Sequence, residues 1–196
     1  MLGVPRKGWD DIDNCFVVRK HGWKILYDGM GAGYHYPRTT RGDNSKMGMW
    51  LNLQNGQLFY KRWGYPLRLV FALNNTGESA GLLRKACMDQ NKVIVIKERS
   101  KKLPYEHTNM KVMEFSSFLF NAKALLHIMT KRSRKQQKEI SFIFTDDRKF
   151  YSFAGLFKPF IAAEIVFEAA IPDLSRKASA LIKEKKEKYK NSIKTV

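Results

Sequence analysis

The chain has 196 residues, 44% of them hydrophobic, and a formal charge of +18 from 36 Lys+Arg against 18 Asp+Glu. That length suits one domain with decorations, and the apolar content excludes a disordered chain. The charge excess adds self-repulsion to the fold, so it points to a polyanionic partner, either nucleic acid or an anionic membrane surface. Cys15 and Cys87 lie far apart, which excludes a thiolate-rich zinc site and argues against a disulfide framework.

At the N-terminus, "MLGVPRKGWDD" has no apolar core of a secretory signal. No later run of about 18 apolar residues could span a membrane. The expected location is therefore a reducing intracellular compartment: cytoplasm, organelle matrix, or a virus- or phage-infected cell. "CFVVRK" and "WKILYD" read as short strands by their β-branched and aromatic content. Residues 28–47 are rich in Gly, Asp, Asn and Pro and read as a long surface loop. "MWLNLQNGQLFYKRW" reads as a β-hairpin around Asn55-Gly56. A two-residue turn pairs Leu53 with Leu58 and Leu51 with Tyr60 on one face. Asn52 pairs with Phe59 and Trp50 with Lys61 on the other, with Trp63 next along that face.

"LRLVFAL" and "KVIVIKER" are further strands, and "GESAGLLRKACMDQN" between them reads as a short helix. "TNMKVMEF" predicts a strand. "SSFLFNAKALLHIMTKR" has helical spacing, with Phe118, Ala122, Leu125 and Ile128 as its expected buried stripe. Residues 131–138 hold five cations: Lys131, Arg132, Arg134, Lys135 and Lys138. A hairpin is expected over residues 139–155, turning at Asp146-Asp147-Arg148-Lys149, with Ile140, Phe142 and Phe144 in the core. "FIAAEIVFEAAI" reads as a buried helix ended by Pro172, and "DLSRKASALIKEKKEKYKNS" as a second, basic helix.

The tally predicts an α+β fold: a twisted antiparallel sheet with helices packed on one face and an extra basic C-terminal helix. Residues 1–172 would form one nucleic-acid-binding domain and residues 173–196 a basic helix or tail.

Most catalytic motifs are missing. "DGMGAG" lacks the third glycine and the following helix of a dinucleotide site. His21, His35, His107 and His127 have no ligand-like spacing. Asp146 and Asp147 fall at a turn, where aspartate is ordinary. No cofactor, metal site or catalytic residue is expected. Interleaved cations and rings remain, in "LFYKRWGYPLR" and "DDRKFYSFAGLFKPF". Rings on an open strand face stack bases while neighbouring cations neutralise phosphates. The expected nucleic-acid contacts are Trp50, Phe59, Lys61, Arg62 and Trp63, the cations Lys131, Arg132, Arg134, Lys135 and Lys138, and Arg148 and Lys149.

The order of "MKVMEF", "LFNAKALLHIMTK", a basic linker, "EISFIFTDDRKFYSFAGLF" and "IAAEIVFEAAI" over residues 110–172 resembles the Whirly family and the kinetoplastid mitochondrial guide-RNA-binding proteins. The resemblance implies twisted antiparallel sheets, single-stranded nucleic acid held on the sheet, and oligomers. The expected function is thus non-enzymatic binding of single-stranded DNA or RNA, with no membrane partner. A structural protein of a ribonucleoprotein or virion is the alternative, and a metal-dependent nuclease the third reading.

Overall fold

The runs Arg68–Ala72 and Lys92–Glu98 each hold four consecutive apolar residues, the pattern of strands covered on both faces. They form β1 and β2 of one five-stranded sheet in the computed structural model, which describes residues 10–21, 23, 25, 46–130 and 139–192. The other strands are β3 (Met110–Phe115), β4 (Ile140–Thr145) and β5 (Glu164–Phe167). Their order is β3-β2-β1-β4-β5, and every pairing is parallel. The antiparallel α+β expectation is therefore corrected to a parallel α/β sheet with helices on both faces.

Helix α3 (Ala80–Met88) links β1 to β2, α4 (Phe120–Thr130) links β3 to β4, and α5 (Arg148–Leu156) links β4 to β5. Val70, Ala72, Ile94, Ile96 and Ile143 point to one face and pack with Ala124, Leu125 and Ile128 of α4 and Phe150 and Ala154 of α5. The alternate residues point the other way; on that face Phe71 and Phe144 stack at 5.1 Å. Helix α6 (Ile171–Ser192) runs across this second face, and Lys185 Nζ lies 5.5 Å from the centroid of the Phe142 ring. It buries Ile171, Leu174, Ala178 and Ile182 at three- and four-residue spacing. Pro172 opens α6 instead of closing a helix before it, because a first-turn proline has no intrahelical N–H to lose.

The molecule divides into two compact units, Pro66–Lys186, which holds the sheet, and Met1–Tyr65 with Glu187–Val196. In the latter unit, two predicted β segments are helices. "CFVVRK" lies in α1 (Asp10–Lys20), which carries aspartates at its start and Arg19 and Lys20 in its last turn, matching the helix dipole. The Asn55-Gly56 hairpin is instead the middle of α2 (Lys46–Trp63). This segment contains no Val, Ile or Thr, and its Leu, Met, Gln, Lys and Arg favour helix strongly enough to carry Asn and Gly. "WKILYD", except Trp23 and Ile25, and residues 28–45 of the expected loop lie outside the described residues.

Two more expectations change in the sheet unit. The 139–155 hairpin is strand β4 followed by helix α5; Ile140, Phe142 and Phe144 are buried as expected. "FIAAEIVFEAAI" starts on the last residue of a 3-10 turn (Lys158–Phe160) and holds edge strand β5, not a helix. Its Ile-Val-Phe core is β-branched and aromatic, and four residues suffice for a short edge strand. In α4 the buried residues are Ala124, Leu125 and Ile128, whereas Ala122 is exposed; Phe118, also exposed, lies before the helix begins.

Candidate nucleic-acid interface

Asp13 on α1 organises the ring cluster of α2. Its carboxylate accepts from Trp63 Nε1 at 2.6 Å and from Arg62 Nη1 at 2.6 Å. Phe59 is 3% exposed and meets Phe16 edge-on at 4.9 Å. Lys20 and Arg62 lie 5.8 and 5.1 Å from the Trp63 centroid. Three of the expected contacts, Phe59, Arg62 and Trp63, thus hold α1 against α2. Trp50 and Lys61 are exposed and eleven residues apart, so three helical turns bring them to one face of α2. Tyr60 stacks on Tyr65 at 4.1 Å; burial first, and then Tyr65, raise its hydroxyl pKa.

The cations Lys131, Arg132, Arg134, Lys135 and Lys138 lie outside the described residues. Arg148 and Lys149 belong to the sheet unit and are exposed in the first turn of α5. They follow two occupied carboxylates. Asp147 caps α5, accepting from Lys149 N at 2.7 Å and Phe150 N at 3.3 Å. Asp146 accepts from the backbone N–H groups of Asn74 and Asn75 at 2.6 and 2.7 Å. Strand order reverses between β1 and β4, where open α/β sheets keep their ligand crevice at the carboxyl ends. Asp146 ties this crevice across from the β4 side. From the β2 side, Lys101 Nζ donates to Asn74 O at 2.8 Å and Thr76 Oγ1 donates to Lys102 O at 2.7 Å.

Lys97, at the end of β2, is 4% exposed and meets Glu114 Oε1 at 2.6 Å; its ammonium also donates to Lys101 O at 2.5 Å. The bond from Lys97, then its charge, hold the Glu114 carboxyl below the usual range. This pair fastens β2 to β3, where Lys97 and Glu114 are register partners.

At the opposite, amino-terminal edge the fold gathers cations from four elements. Arg68 opens β1 and is the register partner of Lys92, which opens β2. Lys85 is in the last turn of α3. Lys186 of α6 donates to the carbonyl of Asp89 just after α3, and Lys185 covers Phe142. Asp89, Glu139, Glu164 and Glu184 share this end of the sheet. Arg68 stands in the interleaved stretch "LFYKRWGYPLR", but Lys85 and Lys92 were not singled out because each flanks an apolar run; the signal was the basic residue heading both "RLVFA" and "KVIVIKE".

Among the described residues, no three His, Cys, Asp or Glu side chains gather to hold a metal ion, and no helix is long and apolar enough to cross a membrane. Comparison with protein-family models, curated proteins and solved structures finds no match.

Proposed function

We propose that the protein binds nucleic acid, single strands ahead of duplex, with its phosphates along the amino-terminal edge of the parallel sheet. The observation that carries this reading is the convergence of Arg68, Lys85, Lys92, Lys185 and Lys186 at that edge, in a chain of charge +18. With strands about 4.8 Å apart, five of them make an edge roughly 20 Å wide, enough for several phosphates. Charge alone serves single and double strands alike. An exposed ring of the same unit, Phe160 at 59%, favours unpaired bases, whose faces are free to stack. Binding on an open sheet face does not enter this reading, since helices cover both faces.

The test is fluorescence anisotropy with labelled single-stranded DNA, single-stranded RNA and duplex across a salt series. Five phosphate contacts would give log K against log salt a slope of about −3.5 on single strands. Lys85→Glu with Lys92→Glu, both exposed positions, should weaken binding and flatten the slope by about 1.4. A slope near zero, or one that charge reversal leaves unchanged, would overturn the proposal.

A further inference from the structure

Phe115 and Phe120 pack against the core on either side of a turn that leaves Phe118 74% exposed. Leu119, beside it, has φ 54, in the left-handed region that a large side chain adopts only under constraint. Lys123 lies with its ammonium 5.7 Å from the Phe118 centroid and donates to Ser116 Oγ at 2.8 Å. The Ser116 hydroxyl in turn donates to Phe118 O at 3.4 Å. Among the described rings with a cation over them, Trp63 is half-buried, Phe142 is buried, and Phe118 is exposed.

We infer that Phe118, with Lys123 beside it, is a stacking contact for an unpaired base of single-stranded nucleic acid. The inference rests on the ligand proposed above but not on the same edge: Phe118 follows the carboxyl end of β3, so a nucleic-acid strand held at both places runs roughly 20 Å along the sheet unit. The ring keeps most of its surface open, and the ammonium is anchored where the phosphate flanking a stacked base must be neutralised. Arg99 is exposed next to this turn, its N–H donating to Phe115 O at 2.9 Å. From Phe115 to Thr130 the chain contains no acid, so nothing on this turn or on α4 repels a phosphate. A planar ring beside a fixed cation, on an acid-free segment, complements a polyanion that carries planar bases.

The experiment is anisotropy with a labelled oligothymidylate on the full chain. Phe118→Ala should weaken binding about 5- to 100-fold with the salt slope unchanged, since a lost stack removes no phosphate contact. Phe118→Trp should retain or improve binding, because a larger ring still stacks. Lys123→Gln should flatten the slope by about 0.7. If the wild-type chain fails to bind, the functional reading and this inference fall together. If the wild type binds and Phe118→Ala binds equally well, the inference alone is overturned. It is also overturned if Phe118→Ala changes self-association by light scattering while oligonucleotide affinity stays constant, which would assign the ring to a second copy of this chain. Circular dichroism of each variant checks folding.

Discussion

Asp147 is the residue at which the helix α5 and the expected turn part company, and its replacement by Ala gives a measurable answer. Its backbone is extended, with φ −98 and ψ 109, and its carboxylate accepts from the N–H groups of Lys149 and Phe150. Nine residues make a helix that is marginal alone, so α5 depends on this cap and on Phe150 and Ala154 in the core. Removing the side chain strands two first-turn donors. The Lys149 N–H is exposed and can turn to water, whereas that of Phe150 is partly buried. The loss should be about 1 kcal/mol, within the range of roughly 0.5–2 measured for N-caps. Asp147→Asn and Asp147→Ser keep an acceptor and should lose less, about 0.5 kcal/mol or under, mainly the carboxylate's interaction with the helix dipole. Guanidinium denaturation followed by circular dichroism reads this as a lower midpoint at unchanged m-value. If Ala costs nothing, or if Asn and Ser cost as much as Ala, the capping argument fails and with it the reading of Arg148–Leu156 as a capped helix.

Two further outcomes follow from the same structure. Gly155 lies within α5 with nothing inside 4 Å of an added Cβ, so Gly155→Ala should raise stability by up to about 1 kcal/mol by calorimetry; destabilisation would mean that this backbone is not helical. At the β2–β3 ladder, Lys97→Met should leave stability unchanged or raised, since an apolar side chain replaces a buried cation, while Glu114→Gln should destabilise by leaving Lys97 without its carboxylate. Because Lys97 lowers the Glu114 pKa, that pair's stabilisation is present above the ordinary glutamate range, near pH 4.3, and is lost as pH falls through the lowered value. Thermal melts between pH 7 and pH 3 should therefore show a steeper acid loss in the wild type than in Glu114→Gln; parallel curves would refute the assignment.

Much of the sheet could be read in the sequence. Strands β1, β2 and β3 and helices α3 and α4 lie where apolar runs and helical spacing put them, because local pattern decides those segments. Their direction could not be read the same way. Apolar runs without alternation, such as Val93-Ile94-Val95-Ile96, already argue for burial on both faces, but that inference needs crossover helices. One connection and one strand looked like something else: Arg148-Lys149-Phe150-Tyr151 of α5 has aromatic strand composition, and "EIVF" of β5 sits among alanines that suggest helix. Asn55-Gly56 misled for a different reason. Gly in a helix interior costs about 1 kcal/mol relative to Ala, and the packing of Phe59 and Trp63 on Phe16 of α1 offsets it.

The site was less legible than the fold because charge and aromatic content are totals, whereas a binding surface depends on which side chains remain outside. In α2 the 3.6-residue period sends Phe59 and Trp63 inward to Phe16 and Asp13, and leaves Trp50 and Lys61 outside. In the sheet unit the same arithmetic works in reverse. Phe118 fits the apolar stripe of α4 by spacing, yet the left-handed turn at Leu119 breaks the helix before it can be counted in. A parallel sheet covered on both faces has no strand face to offer a base, so any stacking must come from the connections at its ends. The cations follow the same rule. Arg68 and Lys92 are far apart in sequence and become neighbours only because β1 and β2 run in the same direction; in an antiparallel pair their like ends would lie at opposite edges.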